Sequence, residues 1–186
     1  MDDYLEYLAV ATGIIYVLLA AQGNIWCWLI GIISSALYIY INFTHQLFQD
    51  AILQTYYVAA GFYGWWIWMK KEKHEDDTNI RSWSLQQNLK LIFFGALMVP
   101  LFGFIFSRLG NALSYFDSAV TVFSFIATWM TAKKILENWL FWVVIDTVAA
   151  VMYHIKHLEL TAALYIFFVV VATYGYLKWR KESYAI

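Results

Sequence analysis

A chain of 186 residues with 62% hydrophobic and 20% aromatic side chains but only 13% charged ones cannot hide its apolar surface from water. Soluble globular chains are about 45–50% apolar and about 25% charged, so the solvent this composition requires is lipid. A net charge of −1 says little, because in a membrane protein the position of charges matters more than their sum. No nucleic-acid partner is expected. The single cysteine, Cys27, excludes an internal disulfide, and no Cys/His array has zinc spacing.

A transmembrane helix needs about 20 mostly apolar residues. Seven runs approach that length, at Tyr4–Ala21, Ile25–Phe43, Asp50–Met69, Leu89–Ser107, Phe116–Thr131, Trp139–His154 and Leu160–Lys178. No cleavable leader is expected, since the first run follows acidic Asp2 and Asp3 and lacks a basic flank. Most connections are tight. The exception, residues 70–88, opens on Lys-Lys-Glu-Lys-His-Glu-Asp-Asp and reads as a solvated loop between two halves.

Basic residues set the orientation. With seven spans, Lys70, Lys71, Lys73, Arg81, Lys90, Lys133, Lys134, Lys178, Arg180 and Lys181 all fall on one side, and Arg108 and Lys156 on the other. This places the C-terminus in the cytoplasm and the N-terminus outside.

The front and back thirds repeat each other. Asn24-Ile25-Trp26-Cys27-Trp28 returns as Asn138-Trp139-Leu140-Phe141-Trp142, and Tyr63-Gly64-Trp65-Trp66 as Tyr174-Gly175-Tyr176-Leu177. Each copy ends in basic residues. The fourth span has no counterpart, so an odd number of crossings separates the copies and gives them the same orientation. The expected fold is all-α: two parallel three-helix repeats (4–69 and 116–178) joined by a linker helix (89–107), the three-plus-one-plus-three plan of SWEET-type carriers. The competing explanation is that aromatic, glycine-punctuated helices resemble one another by composition alone.

Polar residues inside the spans mark the candidate site. An ionisable side chain at a span's centre costs about 2.5–3.5 kcal/mol on insertion scales. Asp146 lies halfway along the sixth span, and no lysine or arginine shares its depth. Trp139, Trp142 and Asp146 follow i, i+3, i+7 spacing and share a helical face. Indole faces attract cations by about 0.5–2 kcal/mol, so two tryptophans and a carboxylate suit a flat, positively charged aromatic solute. A structural Asp tying helices together is the alternative.

The fifth span carries Asp117, Thr121, Ser124 and Thr128 along one stripe, where hydroxyls serve either a ligand or close helix packing. Asp117, near the outer end, reads as a capping residue. In the first repeat Ser34, Ser35 and Tyr38 fall mid-span, while Gln54, Tyr57, Gly61, Trp65 and Trp68 line the third helix. Gln54 offers donor and acceptor together. Trp65, Trp66 and Trp68 read as interfacial anchors. His154 and His157, with Glu159 close behind, are too few for a structural metal site. No nucleophile, zinc-protease or phosphate-loop motif is present, so neither an enzyme nor a cofactor is expected.

At these residues the chain resembles the PnuC family of vitamin-precursor transporters. The matching stretches are Gly-Asn-Ile-Trp-Cys-Trp-Leu-Ile-Gly-Ile-Ile-Ser-Ser (23–35), Asp-Ala-Ile-Leu-Gln-Thr-Tyr-Tyr (50–57), Gly-Phe-Tyr-Gly-Trp-Trp-Ile-Trp (61–68), Phe-Asp-Ser (116–118) and Glu-Asn-Trp-Leu-Phe-Trp-Val-Val-Ile-Asp (137–146). The resemblance implies a seven-span, SWEET-like carrier that equilibrates its solute without an ion gradient or ATP. A cytoplasmic kinase, not required to bind the carrier, then traps the solute by phosphorylation. It implies that Trp139 and Trp142 stack on the substrate ring, that Gln54 and Asp146 contact its polar groups, and that thiamine and nicotinamide riboside stand about level as substrates. Ser34, Tyr38, Tyr57, Thr121 and Ser124 complete the candidate set. The alternatives are a carrier of a neutral solute (riboflavin, a nucleoside or a sugar) on the same fold, or a non-transporting scaffold. Membrane lipid is the expected surround. Homo-oligomerisation is left open, because lipid-facing and subunit-facing apolar surfaces look alike in sequence.

Overall fold

In bilayer hydrocarbon every backbone polar group must find its partner within the protein, which leaves α-helices or closed barrels as spanning structures. The computed structural model describes residues 2–44, 48–72, 80–108, 114–155, 157 and 159–184, and it takes the helical solution throughout. Seven helices follow in order: α1 (Asp2–Ala21), α2 (Trp26–Thr44), α3 (Phe48–Glu72), α4 (Leu85–Arg108), α5 (Ser114–Ala132), α6 (Asn138–Ile155) and α7 (Glu159–Tyr184). Each predicted span coincides with one of them. Among the described residues α1, α2, α4, α6 and α7 are long and apolar enough to cross a membrane. The remaining two, α3 and α5, carry Gln54 and the Thr/Ser stripe. The loop expected over 70–88 is shorter, because α3 continues to Glu72 and α4 starts at Leu85. Its residues 73–79, with Lys73, lie outside the described residues, as does Lys156.

Helix packing closes a ring. The contacts run α1 to α2 to α3 to α5 to α6 to α7 and back to α1, while α4 packs on α5. Exchanging α1–α3 for α5–α7 leaves this set of ring contacts unchanged, as two repeats about a pseudo-two-fold axis require. On α4, Phe93, Phe94, Leu97, Leu101, Phe104 and Ile105 are exposed. In a bilayer that surface meets acyl chains.

The repeat is visible at residue level, in a register that differs from the sequence reading at one point. In the first repeat the Trp28 ring lies against Gly64 and stands edge-on to Trp68, with centroids 5.5 Å apart at 88°. In the second, Trp139 lies against Gly175 and edge-on to Trp179, at 5.4 Å and 89°. All three pairs are 111 positions apart in sequence (Trp28 and Trp139, Gly64 and Gly175, Trp68 and Trp179). Trp28 therefore corresponds to Trp139, and the pairing of Asn24–Trp28 with Asn138–Trp142 is three residues out of step. The physical reason is the glycine, since only a residue without Cβ lets an indole lie on the neighbouring helix. Trp68, expected at the interface with lipid headgroups, is 1% exposed for the same reason.

The same register fixes the helix ends. α1 closes with Gly23 N–H donating to Ala20 O (2.9 Å) and Asn24 N–H to Leu19 O (3.0 Å). α5 closes with Lys134 N–H donating to Thr131 O (3.0 Å) and Ile135 N–H to Met130 O (3.0 Å). Both are Schellman caps, whose C′ residue takes a left-handed conformation. That residue is Gly23 at φ 71° in one and Lys134 at φ 55° in the other.

The segment before α4 is held to the second repeat. Arg81 N–H donates to Lys134 O (2.9 Å), and Leu136 N–H donates to Arg81 O (2.8 Å). Glu137 accepts from the Ser82 hydroxyl (2.6 Å) and from Trp83 N–H (2.9 Å). Ser84 and Gln87 then form a capping box that starts α4.

Candidate functional site

Five of the six ring helices send a polar group towards one region. Asp146, halfway along α6, is 6% exposed. It makes no hydrogen bond or ion pair among the described residues. Its carboxyl group is close enough to Tyr57 on α3 and Tyr165 on α7 to interact electrostatically with both. Tyr57 in turn is close enough to Ser124 on α5, to Tyr56 and to Tyr16 on α1 to interact with each. The Tyr56 hydroxyl donates to Phe125 O at 2.7 Å and so ties α3 to α5. A carboxylate buried without a partner carries a desolvation cost of several kcal/mol. Bringing a cation beside it offsets that cost.

The two tryptophans of the α6 face have different surroundings. Trp139 is 2% exposed and wedged between Gly175 and Trp179. Trp142 is half-buried, and its indole N–H points at the Thr131 hydroxyl, 3.4 Å away. That hydroxyl also lies 2.9 Å from Asn138 Oδ1, while Asn138 Nδ2 donates to Ile135 O at 2.6 Å. Trp142 is thus oriented by a buried polar pair, and Asp146 follows it by one helical turn.

The other predicted residues divide. Thr121 and Gln54 stand one turn from Ser124 and Tyr57 on their own helices, Thr121 buried and Gln54 half-buried. Ser34 is engaged elsewhere, donating to Ala9 O at 3.0 Å and binding α2 to α1. Tyr38 lies towards the far end of α2, within electrostatic range of Glu6 and Tyr153. Thr128 donates to the carbonyl of Ser124 within its own helix, at 2.8 Å. His154 pairs with Glu159 at 2.9 Å, with both side chains exposed. Among the described residues no group of three His, Cys, Asp or Glu could hold a metal.

Sequence reasoning missed four participants: Tyr16, Tyr165, Thr131 and Asn138. Three of them were within reach of a simple signal. In the 111-residue register Thr131 replaces Ala20, Asn138 replaces Cys27 and Tyr165 stands where Gln54 stands.

Residues 3–181 match the family described as "Nicotinamide mononucleotide transporter". The chain belongs to that family. It is a multi-pass membrane transporter and not an enzyme. Similar relatives are the nicotinamide riboside transporter PnuC of Escherichia coli K12, 26% identical over 97% of this chain and 87% of its own length, and that of Neisseria mucosa, 25% identical over 97% and 73%. The fold is similar to the crystal structure of the vitamin B3 transporter PnuC, with a TM-score of 0.81 at 23% identity, covering 99% of this chain and 83% of that one. At that identity the solved structure speaks for the helical architecture alone.

Proposed function

We propose that this chain carries a small cationic aromatic vitamin precursor across the inner membrane, with nicotinamide riboside first and thiamine as its competitor. The observation that carries the reading is Asp146, buried and unpaired at mid-helix, one turn from the half-buried Trp142. A positively charged heterocycle stacked on Trp142 brings its charge to that carboxylate. The E. coli and Neisseria relatives are named nicotinamide riboside transporters, which supports ranking the riboside ahead of thiamine.

The family description names the mononucleotide, and electrostatics argue for the riboside instead. Two like unit charges 4 Å apart repel by about 4 kcal/mol at an effective dielectric of about 20. A phosphate near Asp146 meets that repulsion. No lysine or arginine stands at mid-helix in the described chain to relieve it. The same argument supports one-way accumulation: the riboside equilibrates by facilitated diffusion, and phosphorylation by a cytoplasmic kinase yields a product the site rejects. The basic ends of α3, α5 and α7 support a cytoplasmic C-terminus and an external N-terminus.

Titration calorimetry of the purified protein against nicotinamide riboside, thiamine and riboflavin tests the reading, with uptake into proteoliposomes as the second arm. Asp146→Asn is expected to weaken binding of the cationic substrate tenfold or more and to leave any binding of neutral riboflavin within about twofold. Equal losses for both would remove the charge role. Silence from all three would remove the substrate class.

A further inference from the structure

The two repeats fill one pair of equivalent positions in opposite ways. In the register that superposes the tryptophan clasps, Tyr16 on α1 corresponds to Ala127 on α5, and Gly31 on α2 corresponds to Trp142 on α6. The second repeat thus places its large ring on the second helix and a small residue on the first. The first repeat does the reverse. The Tyr16 ring lies so close to Gly31 that a Cβ there would stand 2.8 Å from its Cδ2. Trp142 reaches across to α5 at Thr131, one turn from Ala127. Each repeat therefore supplies one aromatic ring to equivalent space, a phenol in one and an indole in the other.

Tyr16 is half-buried, and its hydroxyl makes no hydrogen bond among the described residues. The polar groups within electrostatic range of it are the thiol of Cys27 on α2 and the hydroxyls of Tyr57 and Tyr56 on α3. Tyr57 is the residue that also meets Ser124 and Asp146. Tyr57 is thus within electrostatic reach of both the phenol and the carboxylate, and Trp142 stands one turn from that carboxylate.

A carrier with exact two-fold symmetry would offer its ligand two equivalent poses. Here the two ends of the site differ in kind, with an indole face and a carboxylate at one and a free phenol hydroxyl at the other. We propose that Tyr16 is a specificity residue that receives the hydroxylated substituent of the substrate, while Trp142 and Asp146 hold its cationic ring. The inference rests on the function proposed above and extends it to an element with no part in the predicted site. It selects for a ring cation bearing a sugar-like arm over the bare ring.

The probes are nicotinamide riboside and 1-methylnicotinamide, which is methylated on the ring nitrogen and so keeps the charged ring while lacking the sugar. Tyr16→Phe preserves the packing on Gly31 and removes only the hydroxyl. Calorimetry is expected to give a loss of roughly fivefold for the riboside, the size of one neutral hydrogen bond. 1-Methylnicotinamide should change less than twofold, and the melting temperature in detergent should stay unchanged. Equal effects on both probes, no effect on either, or a Tyr16→Phe protein that fails to fold would overturn the role of Tyr16 and leave the proposed function standing. Wild-type protein that binds neither probe would overturn the role of Tyr16 together with the riboside reading, and would leave thiamine as the substrate of the proposed function.

Discussion

At their basic ends the two repeats are built with the same parts. Each has a tryptophan laid on a glycine, a second tryptophan standing edge-on to the first, and a Schellman cap with its left-handed residue in the same register. Moving inwards, they diverge. The first repeat packs Ala20 and Cys27 where the second hydrogen-bonds Thr131 to Asn138, and it has Ser35 where the second has Asp146. The frame is duplicated, and the chemistry is not. A symmetric frame allows the halves to move against each other about an axis. An asymmetric filling lets one ligand bind in one pose.

If the clasps are equivalent, damaging either should cost the same. Gly64→Ala and Gly175→Ala each force a Cβ into an indole ring. Overpacking of that kind costs about 1–3 kcal/mol, so matched drops in thermal stability are expected. A large drop at one site and none at the other would break the equivalence.

The polar pair offers the next test. Thr131→Ala strands the buried Asn138 Oδ1 and removes the partner of the Trp142 indole. An unsatisfied buried acceptor costs about 1–3 kcal/mol. The double variant Thr131→Ala/Asn138→Cys copies the first repeat and is expected to recover most of the stability while still weakening substrate binding through a loosened Trp142. Recovery of binding as well would mean that the pair serves packing alone.

The smallest effect is expected at the caps. Lys134 holds a left-handed φ that suits glycine, and its ammonium sits 4.6 Å from the Trp68 ring centroid. Lys134→Gly relieves strain of about 1 kcal/mol and forfeits a cation–π contact of about 0.5–1 kcal/mol. Thermal unfolding should register a net change within about 0.5 kcal/mol. A clear stabilisation would show that the contact to Trp68 contributes little.

Much of this frame was legible in the sequence because lipid permits so few solutions. Long apolar runs had to be helices, and the predicted limits Tyr4–Ala21 differ from α1 by two residues at one end and none at the other. Asp146 stood out because a carboxylate amid apolar residues needs a reason. The Tyr-Gly half of the repeat was read in the correct register. The Asn/Trp half was not, since matching by residue type favoured Asn with Asn, whereas packing pairs Cys27 with Asn138. Trp68 was misplaced because burial of an indole depends on a glycine four residues away and a tryptophan on the next helix. Tyr16 gave no sign at all. A tyrosine in an apolar run is unremarkable until its empty partner position, Gly31, is seen beneath it.

The clip made by Glu137 has a consequence in time. Ser82 and Trp83 are synthesised well before the carboxylate that holds them. Until Glu137 has left the ribosome, those two donors have no acceptor there, and α4 begins from an unanchored end. Docking of this short segment therefore waits on α5 and the turn that follows it, although α6 and α7 are still to be made.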